Sequence, residues 1–185
     1  MNQSIYNNKP TNNYICKIAS LEEIIKKADY EIKRHPNNDM WIIFKDRAIK
    51  NFKAGNTVTY IGLLNNEIIC EATAIIKPEG FKDDINNYEG LLSDDMVYLS
   101  GFRTNKEYEN QGYFSKLYKF MENDLKNKKY KKISLGVEPS EVRNIQIYFK
   151  LGFINYLKTT IEYLPAKDKN SKPREEIINF YYKII

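Results

Sequence analysis

The stretch Leu99-Ser100-Gly101-Phe102-Arg103-Thr104-Asn105-Lys106-Glu107-Tyr108-Glu109-Asn110-Gln111-Gly112-Tyr113-Phe114-Ser115-Lys116-Leu117 decides the reading of this chain. A strand ends, a short polar loop follows, and a glycine stands where a helix begins. The first-turn amides of a helix have no internal partners. With the helix dipole they make a site for an anion, and a glycine there lets phosphate oxygens come close to the backbone. On its own Gly112 does no more than start a helix, so its surroundings carry the argument.

Working outward, Met96 to Thr104 reads as a strand. Gly112 to Asn127 reads as a helix with Phe114, Leu117, Met121 and Leu125 on one face, and Lys132 to Val137 as the next strand. A strand–helix–strand unit of this kind makes a right-handed parallel crossover. Upstream, Tyr14 to Ala19 is a strand. Ser20 and Glu23 form a capping box before Leu21, Ile24, Ile25, Ala28 and Ile32 at helical spacing. Asp39 caps a second helix carrying Trp41, Phe44, Ala48 and Phe52. Thr57 to Leu64 and Glu67 to Ile76 are strands joined by a tight turn at Asn65-Asn66, since Asn tolerates positive φ. The polar stretch 77–95 is a surface insertion or a loop. Downstream, Ser140 caps a helix that Gly152 ends, and Phe153 to Leu164 and Glu176 to Ile184 are the last strands. The fold class is α/β, a mostly antiparallel mixed sheet with one central parallel strand pair and helices on both faces. Residues 1–13 read as a flexible arm, and 14–185 as a single domain.

The 185 residues are 42% hydrophobic, enough for one core. The formal charge of +5 suits attraction of a nucleotide phosphate; dispersed as it is, it argues against nucleic acid. Cys16 and Cys70 have no metal-ligand spacing and read as two reduced thiols of a cytoplasmic protein. No apolar run is long enough to span a bilayer, and no side-chain cluster suggests a metal.

The passage around Gly112 resembles motif A of the GNAT N-acetyltransferase family, Arg or Gln, two residues, Gly, one residue, then Gly or Ala. Here that pattern falls on Glu109, Gly112 and Phe114. Ile147-Tyr148-Phe149-Lys150-Leu151-Gly152-Phe153 resembles motif B, with a Tyr four residues before Gly-Phe. The order of elements from about 14 to 184 is also similar to the family's. Glu109 replaces the usual Arg or Gln, so the acid must point away from a pyrophosphate or pair with Lys106 or Arg103. Phe114 replaces a small residue, and either crowds the loop or turns into the core.

The resemblance implies acetyl transfer from acetyl-CoA to a primary amine of a small molecule or peptide, with no metal. A homodimer is the family's common habit. It implies that Phe102, Arg103 and Thr104 bind the pantetheine arm through their backbone. Amides of Glu109, Asn110, Gln111, Gly112, Tyr113, Phe114 and Ser115 hold the pyrophosphate. Asn144 is a cofactor contact or a helix-surface amide. Tyr148 is a core tyrosine or the general acid that protonates the leaving thiolate. The strand 96–100 offers no carboxylate as base. Glu138 is then the next candidate, its alternative being a loop acid that orders the following helix. Tyr98 lines the acceptor pocket or packs. The family's acceptor site is walled partly by the loop between the first two helices, so His35 is an exposed turn residue or a substrate contact. A different class of function is a CoA-binding regulatory module without transferase activity.

Overall fold

Ser20 and Glu23 close the expected capping box at the start of the first helix. Ser20 Oγ accepts from the Glu23 amide at 3.3 Å, and Glu23 Oε2 accepts from the Ser20 amide at 2.9 Å. The computed structural model describes residues 13–81, 85–164 and 174–185. The arm 1–12 and most of the polar segment before the last strand lie outside the described residues. The elements run β1 (Tyr14–Ile18), α1 (Leu21–Arg34), α2 (Met40–Lys53), β2 (Thr57–Leu64), β3 (Glu67–Ile75), β4 (Met96–Thr104), α3 (Tyr113–Asn127), β5 (Lys132–Val137), α4 (Val142–Lys150), β6 (Asn155–Leu164) and β7 (Arg174–Ile184).

Seven strands form one sheet in the order β1-β2-β3-β4-β5-β7-β6. The pairings are antiparallel except β4 with β5, which are parallel over Met96–Tyr98 against Lys132–Ser134. Beyond Tyr98 that pairing ends and the two strands part. Asn65 and Asn66 adopt φ of 50° and 70°, as the tight β2–β3 hairpin requires.

The helices divide between the two faces. Helix α3 buries Tyr113, Leu117, Tyr118, Met121 and Leu125 on a cluster with Tyr60, Ile69, Val97, Leu99 and Leu135. Burial of each such side chain stabilises by roughly 1.5–3 kcal/mol. On the opposite face, Ile24 of α1 packs with Ile61, Leu63 and Ile68, joined by Ala48 and Phe52 of α2. Within the 77–95 stretch, residues around Phe81 and Leu91 cover the sheet. Phe81 and Leu91 are fully buried with Ile75, Tyr98 and Phe180. The buried Glu162 carboxylate of β6 accepts from the Asn86 amide at 2.9 Å and the Thr160 hydroxyl at 2.5 Å.

Two expected caps take another form. Asp39 sits in the helical region and makes no side-chain cap; Asn38 Oδ1 accepts from the Met40 amide at 3.1 Å instead. Ser140 does not cap α4. The turn after Pro139 folds the Val142 amide onto the Ser140 carbonyl at 3.0 Å, so the helix starts at Val142 with Glu141 in the cap position.

Candidate active site

At the end of β4 the register slips. Glu71 pairs with Arg103 and Thr73 with Ser100, so two steps along β3 match three along β4. Gly101, at φ +63°, is the extra residue of this bulge. The bulge turns main-chain groups of β4 away from β3, just past the point where β5 departs. Two clefts adjoin this segment, one on each face of the sheet, and Arg103 lines both.

The first cleft, of about 320 Å³, runs between the end of β4 and helices α3 and α4. Phe102, Arg103 and Thr104 form one wall, with Glu109, Asn110, Gly112, Tyr113, Phe114 and Ser115 at the start of α3. Asn144 and Tyr148 close it from α4. The structure thus brings together every residue the sequence placed at the cofactor except Gln111, whose side chain turns back to donate to the Glu107 carbonyl at 2.8 Å. Asn110 and Gly112 adopt φ of 60° and 79°, and a Cβ built on Gly112 meets nothing within 4 Å. Gly112 is the N-cap residue of α3, so that open space adjoins a helix start, whose first-turn amides have no internal partners. Phe114 turns into the wall, edge-on to Phe102 at 5.2 Å.

The two departures from the motif are therefore accommodated. Glu109 pairs with Arg143 of α4 at 3.1 Å, rather than with Lys106 or Arg103. Arg143, Tyr108 and Ile147 also line the cleft and were given no role from the sequence, although Arg143 stands directly before Asn144. Asn144 Nδ2 donates to Glu141 Oε2 at 2.8 Å.

Tyr148 is partly buried and meets Phe102 edge-on at 5.8 Å and Phe153 at 6.3 Å. Burial, followed by the Glu141 charge, pushes its phenol up to about 12. It holds its proton at neutral pH at the edge of the cleft. Glu138 lines neither cleft. Its carboxyl shares a hydrogen bond with Glu176 and is partly buried, which raises its pKa above the usual carboxylate range. Tyr98 also lines neither cleft. Strand alternation puts it under the 77–95 cover, where it packs on Phe81 at 5.0 Å and Phe180 at 6.3 Å, and burial pushes its phenol upward.

The loop between β4 and α3 is fixed from the far side by α1. Buried Lys27 donates to Glu31 Oε1 and to Asn105 Oδ1, each at 2.7 Å, and Asn105 Nδ2 donates to the Ile68 carbonyl at 3.3 Å. Tyr14 Oη donates to the Tyr113 carbonyl at 2.9 Å, tying β1 to the first turn of α3.

The second cleft, of about 280 Å³, lies between α1, α2 and strands β2 to β4. Ile24, Ala28, Trp41, Phe44 and Ala48 form its apolar side, and Thr59, Thr73 and Ser100 its floor. Glu71 of β3 accepts from Arg103 at 2.8 Å, and the Arg103 guanidinium lies 4.5 Å over the Trp41 ring. His35 stacks on the same indole at 5.0 Å. The sequence set His35 beside the acceptor wall but passed over Glu71, a mid-strand acid between Cys70 and Ala72.

Among the described residues no group of His, Cys, Asp or Glu side chains is placed to hold a metal ion, and no helix is long and apolar enough to cross a membrane.

No curated protein sequence matches the chain. Solved structures share its fold at low identity. A ribosomal-protein-alanine N-acetyltransferase from Brucella melitensis is 14% identical, covering 92% of this chain and 99% of that one at a TM-score of 0.63. A ribosomal-protein-S18-alanine N-acetyltransferase from Escherichia coli is 16% identical, with 93% and 94% covered and a TM-score of 0.61. An acetyl transferase from Salmonella typhimurium that modifies the N-terminal serine of ribosomal protein L7/L12 is 14% identical, with 95% and 96% covered and a TM-score of 0.64. The sequence profile of the Acetyltransferase (GNAT) family matches residues 18–153, from the last residue of β1 to just past α4. The chain belongs to the GNAT acetyltransferase family.

Proposed function

We propose that the protein transfers an acetyl group from acetyl-CoA to the primary amine of an acceptor by direct attack. The observation that carries this is the pair of clefts meeting at the β4 bulge, one opening on the start of α3 and the other holding a buried carboxylate. A donor held from one face and an acceptor from the other would meet beside Gly101 and Phe102.

The first cleft suits CoA. The amides of Glu109 through Ser115 would hold the pyrophosphate around the open space at Gly112, with Arg143 beside them. Phe102, Phe114 and Ile147 would flank the arm, and the backbone of Phe102 to Thr104 would hydrogen-bond it. Acetyl-CoA supplies the thioester whose acyl carbon bonds to the amine nitrogen as the carbon–sulfur bond breaks. Main-chain amide at the bulge would polarise the carbonyl. Tyr148 would give its phenolic proton to the departing thiolate, and the proton lost by the amine would pass to water. Glu138 lies outside both clefts and takes no part in this scheme. Cys16 and Cys70 are free thiols, which suits a cytoplasmic setting.

The test is thiol release from acetyl-CoA across a panel of amines, with the product identified by mass. Amine-dependent release is expected. Binding of CoA in the micromolar range with no transfer to any amine would point instead to a regulatory CoA-binding module.

A further inference from the structure

We propose that the second cleft takes an acceptor with one ammonium group, seated on the Glu71 carboxylate, and an apolar or aromatic body lying along Trp41 and Phe44. The inference rests on the transferase reading above and names its acceptor class.

Glu71 is 9% exposed. One of its oxygens accepts from Arg103, and the other has no hydrogen-bond partner among the described residues. A carboxylate oxygen walled in this way, yet still open to a cleft, is a seat for a strong donor, and an ammonium carries three. Glu71 stands opposite Arg103 in the sheet, immediately past the bulge, so an amine seated there lies beside the β4 segment shared by both clefts.

The remaining charge argues for a single ammonium. Among the described residues that line this cleft, Glu71 is the only acid; of the basic ones, Lys45 is paired with Asp29 at 2.6 Å and Arg103 with Glu71 itself. A second ammonium of a polyamine would find no further carboxylate among these lining residues. The apolar side favours an uncharged body. Trp41 is held by His35 and Arg103 and meets Phe44 edge-on at 5.7 Å, so the aromatic wall is ordered before binding. A volume of about 280 Å³ is roughly nine waters at ~30 Å³ each, room for an arylalkylamine.

The experiment measures kcat and KM for phenethylamine, spermidine and an alanine-initiated tetrapeptide, using wild type, Glu71→Gln, Glu71→Asp and Trp41→Ala. CoA affinity and melting temperature are measured on each. Phenethylamine is expected to exceed the other two at least tenfold in kcat/KM. Glu71→Gln should raise its KM at least tenfold with CoA affinity within twofold of wild type. Glu71→Asp should recover part of that loss, and Trp41→Ala should raise KM severalfold. A preference for spermidine or for the peptide overturns the inference, as does an unchanged phenethylamine KM in Glu71→Gln. Should Glu71→Gln fail to fold, the Asp and Trp41 variants decide, and unchanged KM in both overturns it. If wild type acetylates no amine, the transferase reading itself has failed, which these variants do not address.

Discussion

Arg143 Nη2 lies 3.1 Å from Glu109 Oε2, joining the first turn of α4 to the loop that opens α3. The side chains are 66% and 36% exposed, so the pair adds at most about 1 kcal/mol to stability. Its effect falls on the anion site, where it sets a cation beside the cleft and neutralises the acid. Arg143→Gln should weaken CoA binding roughly fivefold. Glu109→Gln should tighten it roughly twofold, because a charge difference of under about 1 kcal/mol is a factor of a few. Both melting temperatures should stay near wild type. Titration calorimetry at low and high salt checks this, and the two effects should shrink together as salt rises.

Gly112 separates two requirements that a side chain would confound. Its φ of 79° costs an L-residue about 1–2 kcal/mol, while a Cβ there meets nothing within 4 Å. Gly112→Ala should therefore lower stability by only that conformational amount. Its methyl would project into the space over the α3 amides and reduce CoA affinity tenfold or more. Denaturation midpoints and CoA affinity, measured on one preparation, separate the two. A loss of affinity no larger than the loss of stability would move the anion site away from this turn.

Much of this fold was legible because its signals are local. The Ser20–Glu23 box, the Asn65-Asn66 turn and the α3 stripe each need only near neighbours, and each formed as expected. The lining of the first cleft was legible for the same reason: a strand end, a loop and a helix start adjoin in the chain. What was not legible depends on distant partners. Tyr98 alternates like a residue facing a pocket, but it is covered by Phe81 and Leu91 from the 77–95 stretch, whose path no periodicity reveals. Glu71 looks like any strand acid until Arg103 is seen across the bulge. Ser140 has the residue type of a cap, yet the turn after Pro139 delays the helix by one residue.

Lys27 and Glu31 test how firmly α1 holds the loop before α3. Both are almost fully buried, and Lys27 also donates to Asn105. Lys27→Met would leave the Glu31 carboxylate without its buried cation, costing roughly 3–5 kcal/mol. It would also free Asn105, weakening CoA binding. Replacing both, as Lys27→Met with Glu31→Leu, should recover most of the stability, since an apolar pair of similar volume substitutes well for a buried ion pair. CoA affinity should stay reduced, because Asn105 still lacks its donor. Urea unfolding of the three proteins, with CoA titrations, checks both halves.

Tyr148→Phe tests the proton donor. Removing the hydroxyl leaves the ring packed between Phe102 and Phe153, so CoA affinity should stay within about twofold while kcat falls roughly a hundredfold or more, the scale of a lost general acid. The pH behaviour gives a second reading. The buried phenol is held up to about 12, against ~10 when exposed in the unfolded chain. Above pH ~10 the unfolded state therefore releases a proton that the folded state keeps. The stability this group contributes is complete below pH ~10 and is lost as pH climbs toward 12. Tyr148→Phe should make the alkaline fall in melting temperature shallower. Wild-type kcat should show no loss attributable to Tyr148 below pH ~11. Unchanged kcat in the variant would remove Tyr148 from the reaction and leave it a packing residue of the cleft wall.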